Sequence, residues 1–199
     1  MPRTAAILVF EGVEPLDVVG PFEAFICADG DDGAPGFEVG LVAATAAPVT
    51  GEGGFVMTPR WSFADMPHAD ILLVPGGGGT RTLSKDRAVL DWIAERDRQS
   101  ELTLSVCTGA QMLAAAGLLK GLRATTYWST YDELRAIEPT LEVMEGARWV
   151  DNGRIVCSSG VSAGIDMALH VISRLHGDKG AAKAARAMEY EYWPPRDHA

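Results

Sequence analysis

Apolar runs of strand length alternate along this chain with stretches that repeat apolar residues at helical spacing. A short run without polar alternation is typical of a strand buried on both faces of a parallel sheet. Strands are predicted at residues 5–10, 37–43, 71–74, 102–106, 141–144, 149–151 and 155–158, with a hairpin at 48–58. Helices are predicted at residues 16–27, 86–98, 110–116, 130–137, 162–175 and 179–190.

The alternation of strands and helices decides the predicted fold class. It favours an α/β fold built on a mostly parallel sheet. The chain has 199 residues, 47% of them apolar and 22% charged, which is typical of one globular domain over residues 1–199. Gly20 and Pro21 fall inside the first predicted helix, where proline removes a backbone hydrogen bond and predicts a bend or a restart.

Charge and cysteine usage exclude several classes of partner. The net charge of −10 disfavours nucleic acid and anionic membranes, because both need a basic surface. No apolar run reaches the ~18 residues that span a membrane, and the first residues show no cleavable signal pattern. Cys27, Cys107 and Cys157 are widely spaced and odd in number, which fits a reducing compartment. A cytoplasmic protein without nucleic-acid or membrane partners is predicted.

No metal site is predicted. The histidines lack the spacing of metal ligands, and no Cys-x-x-Cys pair is present. These histidines are His68, His170, His176 and His198. Asp166 and His170 are four residues apart on one predicted helix, and a local helix contact is favoured over half of a catalytic triad.

Candidate chemistry centres on Cys107, which lies between the predicted strand at 102–106 and the predicted helix at 110–116. A sharp strand-to-helix turn projects its residue from the edge of the sheet, as in a nucleophile elbow. The positive end of the helix dipole favours a thiolate there, so a lowered thiol pKa is predicted. The alternative is that Cys107 is a small buried hydrophobic residue that ends a core strand.

Asp17 lies in the first turn of the helix that follows the first predicted strand. Loops after parallel strands emerge at one edge of the sheet, so Asp17 is expected beside Cys107. An anionic neighbour would raise the thiol pKa, so a protonated Asp17 hydrogen-bonded to the sulfur is the consistent arrangement, and it favours proton donation to a substrate. The alternative role of Asp17 is to complement the helix dipole.

A glycine-rich run follows the predicted strand at 71–74. The PGGGG sequence at 75–79 brings backbone N–H donors to the sheet edge, and beside a cysteine this favours an oxyanion hole. A phosphate cradle lacks the Lys-Ser/Thr pair of a P-loop, and a flexible tight turn is the remaining alternative. Thr108 adds a hydroxyl and a backbone N–H for developing charge, with helix capping as its alternative role.

Five motifs occur in order along nearly the whole chain. They are LDVVGPFEAF (16–25), PGGGG (75–79), SVCTGAQMLAAAGLL (105–119), ATTYW (124–128) and SSGVSAGIDMAL (158–169). Their combination resembles the ThiJ/PfpI superfamily. Within it the sequence is most similar to the isonitrile (isocyanide) hydratases, and it also resembles the amidotransferase-like sensor domain of AraC-type regulators. The resemblance implies a flavodoxin-like three-layer sandwich with a nucleophile-elbow cysteine, a homodimer and no cofactor.

The hydratase resemblance implies a lyase reaction on a small molecule. Cys107 attacks the terminal isocyanide carbon, Asp17 protonates that carbon as a thioimidate forms, and water releases an N-substituted formamide. Thr108 matches the hydratase pattern at the position where proteases of the superfamily have histidine. The residues assigned to the substrate or to its oxyanion are Gly76, Gly77, Gly78, Tyr127, Trp128, Gly160 and Val161.

Two departures from the hydratase pattern bear on the substrate. Hydratase-like members often read TTHW where this chain has Tyr127, and they often carry a glycine-rich run where residues 158–162 read SSGVS. Both changes are expected to reshape the pocket. The alternative functions are an amidase- or glyoxalase-type hydrolase, for which a histidine is missing, and a non-catalytic domain that senses redox state or a metabolite.

Overall fold

A computed structural model of the chain describes residues 2–30 and 33–191. His198, one of the histidines considered above, lies outside these residues. Within the described ranges, no helix combines the length and the apolar character that a membrane crossing requires.

Strands and helices alternate through the described residues. The strands are β1 (Arg3–Leu8), β2 (Phe37–Ala43), β3 (Val49–Thr50), β4 (Val56–Met57), β5 (Trp61–Ser62), β6 (Ile71–Val74), β7 (Leu102–Val106), β8 (Arg123–Ala124), β9 (Glu142–Val143), β10 (Trp149–Asp151) and β11 (Ile155–Ser158). The helices are α1 (Pro15–Ile26), α2 (Thr80–Leu83), α3 (Arg87–Gln99), α4 (Gly109–Ala115), α5 (Tyr131–Ile137) and α6 (Ala163–Ala187).

The main sheet is parallel at its centre, as the apolar runs predict. In the described part of the chain it has seven strands in the order β10-β11-β7-β6-β1-β2-β5. β10 runs antiparallel to β11, while the other neighbouring strands are parallel. The inner order β2-β1-β6-β7-β11 is that of a flavodoxin-like fold, so the predicted fold class is confirmed.

The direction of the chain across the sheet reverses between β1 and β6. The α1 crossover leads from β1 to β2 on one side, and the α3 crossover leads from β6 to β7 on the other. Right-handed crossovers in opposite directions put these helices on opposite faces of the sheet. α1 packs against α6, and α3 packs against α4. Sheets of this order hold ligands in the crevice at the carboxyl ends of the strands where the direction reverses.

The structure agrees with the predicted long elements and adds short ones. The predicted strands at 37–43, 71–74, 102–106, 149–151 and 155–158 match residue for residue, and the hairpin at 48–58 is formed by β3 and β4. The sequence misses β5, β8 and α2, because elements of two to four residues show no periodicity. The two last predicted helices are the two parts of α6, which Gly177 interrupts with a φ of +76°.

The first helix does not restart at Pro21. α1 runs from Pro15 to Ile26 with Pro21 inside it. Proline at this position removes one backbone donor, the one that would reach the carbonyl of Asp17 four residues earlier. The helix begins with Glu14, whose side chain accepts a hydrogen bond from the N–H of Leu16 at 3.4 Å. α1 also packs against α6, and this contact supports a continuous helix across the proline.

Asp166 and His170 do not contact each other as predicted for one helix face. Asp166 is buried and forms an ion pair with Arg148, and it accepts a hydrogen bond from the hydroxyl of Tyr190 at 2.8 Å. His170 instead lies 2.7 Å from a carboxylate oxygen of Asp151 on β10. Each side chain therefore ties α6 to a different segment, and the predicted local contact is wrong.

Candidate active site

Cys107 directly follows β7 and stands at the carboxyl edge of the sheet. Its φ of +58° is in the left-handed region, which residues with a side chain rarely adopt. Its N–H donates to the carbonyls of Ser158 and Ser159 at 3.2 and 3.3 Å, and its carbonyl accepts from the Thr126 hydroxyl at 2.8 Å. These hydrogen bonds support the strained turn, and Cys107 is only 6% exposed.

Two glycines allow the loop after β6 to lie directly against this turn. A side chain at Gly109 would overlap the carbonyl oxygen of Val74. A Cβ atom at Gly76 would lie 2.6 Å from the backbone nitrogen and the hydroxyl of Thr108, and 2.8 Å from the Cβ of Cys107. Any other residue would push the loop and α4 apart, because real Cβ contacts are not this short.

Asp17 is brought to the sulfur from the first turn of α1. Its residue exposure is 0%. One carboxylate oxygen accepts from the N–H of Gly76 at 2.9 Å, and the other accepts from the N–H of Val161 at 3.2 Å. The carboxyl group also shares a hydrogen bond with the Cys107 side chain. The structure therefore places together two residues that are far apart in sequence and that follow different strands.

Burial dominates the electrostatics of this pair. It raises the pKa of Asp17 to about 7; the negative charge of Glu14 adds to the rise, and the hydrogen bonds to the carboxylate oppose it. Burial also raises the pKa of the Cys107 thiol to about 12. The negative charge of Asp17 adds to this rise, and hydrogen bonds from the N–H and hydroxyl of Thr108 oppose it. The predicted lowering of the thiol pKa is therefore wrong, because loss of water around the sulfur outweighs the dipole of a seven-residue helix.

The glycine-rich loop does not present free amides to a substrate. The N–H of Gly76 donates to Asp17, that of Gly77 donates to the Thr108 hydroxyl at 3.0 Å, and that of Gly78 donates to Glu52 at 2.6 Å. The prediction of an oxyanion hole at these three glycines is corrected on this geometry. The loops after β1 and β6 meet closely, so the glycine amides hold side chains of the site.

A hydroxyl network fixes Thr108. Its oxygen accepts from the N–H of Gly77 and lies 3.0 Å from the hydroxyl of Thr80, which also donates to the Gly77 carbonyl at 2.7 Å. Thr108 makes no side-chain capping bond to α4, so the capping alternative is excluded. The Thr108 hydroxyl also lies 3.4 Å from the Gly77 carbonyl, and hydrogen bonds from the N–H and hydroxyl of Thr108 lower the pKa of the Cys107 thiol.

The sulfur opens into a cavity of about 280 Å³. Of the residues assigned to substrate binding, Gly77, Gly78, Tyr127 and Val161 line it, together with Cys107 and Thr108. Trp128 does not line the cavity and is 70% exposed. Gly160 does not line it either, because it packs under the ring of Tyr127, where a Cβ atom would overlap the ring. Gly76 does not line the cavity, but it packs against Cys107 and Thr108, and its N–H donates to Asp17.

The sequence missed about half of the cavity lining. The missed residues are Glu14, Glu52, Thr80, Arg81, Gln111, Ser129, Thr130 and Glu133. Thr80 directly follows the glycine run, and Glu14 directly precedes α1. Both therefore lie in loops after parallel strands, β6 and β1, where a ligand site is expected, and this placement could have indicated them. Glu52 and Glu133 come from the β3–β4 hairpin and from α5, whose approach to the cavity depends on packing that no local pattern records.

Comparison with known proteins identifies the family of the chain. The family model of the DJ-1/PfpI family matches residues 3–174. The chain is 37% identical to isonitrile hydratase of Pseudomonas putida over 99% of this chain and 82% of that enzyme. It is 28% identical to the HTH-type transcriptional regulator CdhR of Pseudomonas aeruginosa over 100% of this chain, which spans 56% of the regulator.

The solved structures include a close match. A crystal structure of a ThiJ/PfpI family protein from Pseudomonas syringae superimposes with a TM-score of 0.87 and 32% sequence identity, covering 99% of this chain and 78% of that one. Family model, sequence identity and superposition agree across nearly the full length. The chain therefore belongs to the DJ-1/PfpI family.

Proposed function

We propose that this protein hydrates a small isocyanide to an N-substituted formamide, with Cys107 as the nucleophile. The observation that carries the proposal is the buried carboxyl group of Asp17 in hydrogen-bond contact with a thiol that opens into a small cavity. The 37% identity to isonitrile hydratase over 99% of the chain supports the same reaction.

The pair supplies both steps that an isocyanide carbon requires. The sulfur attacks the terminal carbon, and the proton of the thiol reaches that carbon through Asp17, which gives a thioimidate, Cys107–S–CH=N–R. Water then adds to the thioimidate carbon. The carbon–sulfur bond breaks, the thiol regains a proton, and the formamide R–NH–CHO leaves. No electrons are gained or lost, and no group besides water is consumed.

Thr108 assists this sequence at the sulfur. Its hydroxyl and N–H both donate to Cys107 and lower the thiol pKa against the effect of burial. Charge on the sulfur is therefore stabilised when the proton moves to Asp17. The reactive pair holds one proton, so activity rises as pH increases through the Asp17 pKa of about 7.

The first experiment is product analysis. Purified protein is mixed with cyclohexyl isocyanide, and the formyl proton of N-cyclohexylformamide is followed by NMR against a protein-free blank. We expect turnover in the wild type, with a pH profile that rises near pH 7. Cys157→Ala is the matched control, because Cys157 is a second buried cysteine outside the cavity and its loss leaves turnover in place. If no formamide forms at any of the pH values across the profile, the proposal is contradicted.

A second function is favoured by one specific observation, the match of the whole chain to slightly more than half of a transcriptional regulator. In that alternative the cavity binds a metabolite without turnover, or Cys107 is oxidised selectively. Mass spectrometry after mild peroxide treatment separates the alternatives, since a redox sensor gains oxygen at Cys107 before its other cysteines.

A further inference from the structure

We propose that Gln111 and Glu133 form a subsite that binds a hydrogen-bond donor, above all an ammonium group, on the substituent of the substrate. The inference rests on the proposed function of the cavity and names the class of isocyanide that it takes. Both residues line the cavity that contains the Cys107 sulfur.

Gln111 provides an acceptor that the protein itself does not use. It lies on α4, is only 5% exposed, and donates from Nε2 to a Glu133 oxygen at 3.3 Å. A carboxylate only accepts hydrogen bonds, so the amide nitrogen must face Glu133 and the amide oxygen is left as an acceptor. Among the described residues no donor reaches that oxygen. This oxygen is not among the fully buried unpartnered atoms of the described residues, and Gln111 lines the cavity, so a donor on the ligand can reach the oxygen from the cavity.

Glu133 adds charge to this acceptor. Its carboxylate receives a hydrogen bond from Gln111, and none of the ion pairs of the described residues includes it. Glu14 and Glu52 also line the cavity, whereas Arg81 is the cationic residue in the lining. Glu14 and Glu52 are occupied in capping α1 and in holding Gly78, so Glu133 is the carboxylate best placed to meet a cation.

The resulting substrate class is a small isocyanide whose substituent carries an amine that is protonated at neutral pH. The isocyano carbon reaches Cys107, and the ammonium group reaches the acceptors of Gln111 and Glu133. An isocyanide with a carboxylate on its substituent meets three negative side chains and is disfavoured.

The first arm of the test compares kcat/KM for 3-(dimethylamino)propyl isocyanide and for a neutral pentyl isocyanide of similar size. We expect the wild type to prefer the cationic substrate about three- to tenfold, and Glu133→Gln to remove most of that preference. Asp132→Asn is the matched control: it removes the same charge from the next residue of α5, where Asp132 is exposed and paired with Arg135. It leaves the preference unchanged.

The second arm does not depend on hydration. Cys107 is modified with a cationic trimethylammonium-ethyl thiosulfonate and with its anionic sulfonatoethyl counterpart. The ratio of the cationic to the anionic modification rate is compared between the wild type and the two variants. A ratio that falls in Glu133→Gln and holds in Asp132→Asn supports the subsite, even if no isocyanide is turned over and the proposed function fails. A ratio that is the same in all three proteins overturns the subsite, even if hydration is observed.

Discussion

At the scale of single residues, the site is governed by the removal of two acidic groups from water. Cys107 and Asp17 are both almost fully buried, and burial is the largest cause of the raised pKa of each. The dipole of the short helix α4 has a weaker effect on the thiol pKa than burial has, because burial removes the solvation of the full negative charge of a thiolate. The consequence is a carboxyl group that titrates near neutral pH beside a thiol that stays protonated there.

The Asp17 carboxyl also predicts a specific dependence of stability on pH. Its pKa is about 7 in the fold and 3.8 in the unfolded chain, so between these values the folded protein holds a proton that the unfolded chain has released. This contribution to stability is complete in acid and is lost as the pH rises through 7. Relative to Asp17→Asn, we expect the wild type to lose about 2 kcal/mol of unfolding free energy between pH 5.5 and pH 8.

Urea unfolding of both proteins across that range measures the difference. Asparagine cannot titrate, so any other group that changes charge affects both proteins alike and cancels. Parallel stability curves for the two proteins would show that Asp17 is an ordinary ionised carboxylate in the fold.

At the scale of elements, the site depends on direct backbone contact between the β6 segment with its following loop and the start of helix α4. The loop after β6 gives three amides to Asp17, Thr108 and Glu52, and thereby joins α1, the cysteine turn and the β3–β4 hairpin. The glycine run was predicted to bind a ligand, but its amides bind the protein. A run of glycines indicates close approach in the sequence, and only the fold shows which atoms approach.

Gly109→Ala tests this close approach. A Cβ atom there would overlap the carbonyl of Val74, so α4 must move away from β6, and we expect a loss of about 3 kcal/mol in the free energy of unfolding. Gly117→Ala is the control, because nothing lies within 4 Å of its Cβ and only its φ of +79° opposes alanine, at a cost of about 1 kcal/mol. Equal losses in the two variants would mean that α4 and β6 are not tightly packed.

At the scale of the whole molecule, strand order explains why the site forms. Asp17 follows β1 and Cys107 follows β7, and β6, which lies between those strands, carries the glycine loop. Parallel strands end at one edge, so apolar runs, turn residues and chain order were enough to predict the fold class and the meeting of Asp17 with Cys107. Val161 joins them because β11 is the neighbour of β7.

Other features could not be predicted from local patterns. The position of Trp128 on the surface and of Gly160 beneath Tyr127 depends on how the segment after β8 folds back, and this is a matter of packing. The pKa of Cys107 depends on the depth of burial, which the sequence does not record. The homodimer, the cytoplasmic location and the single domain over residues 1–199 stay predictions.

The central claim is that Cys107 and Asp17 act as one unit on an isocyanide carbon, and a double-mutant cycle on kcat/KM tests it most directly. Turnover of cyclohexyl isocyanide is compared in the wild type, Cys107→Ala, Asp17→Asn and the double variant. We expect each single change to lower kcat/KM by about 1000-fold or more, and the double variant to be no slower than Cys107→Ala alone. Retention of activity in Cys107→Ala, or losses that multiply in the double variant, would contradict it.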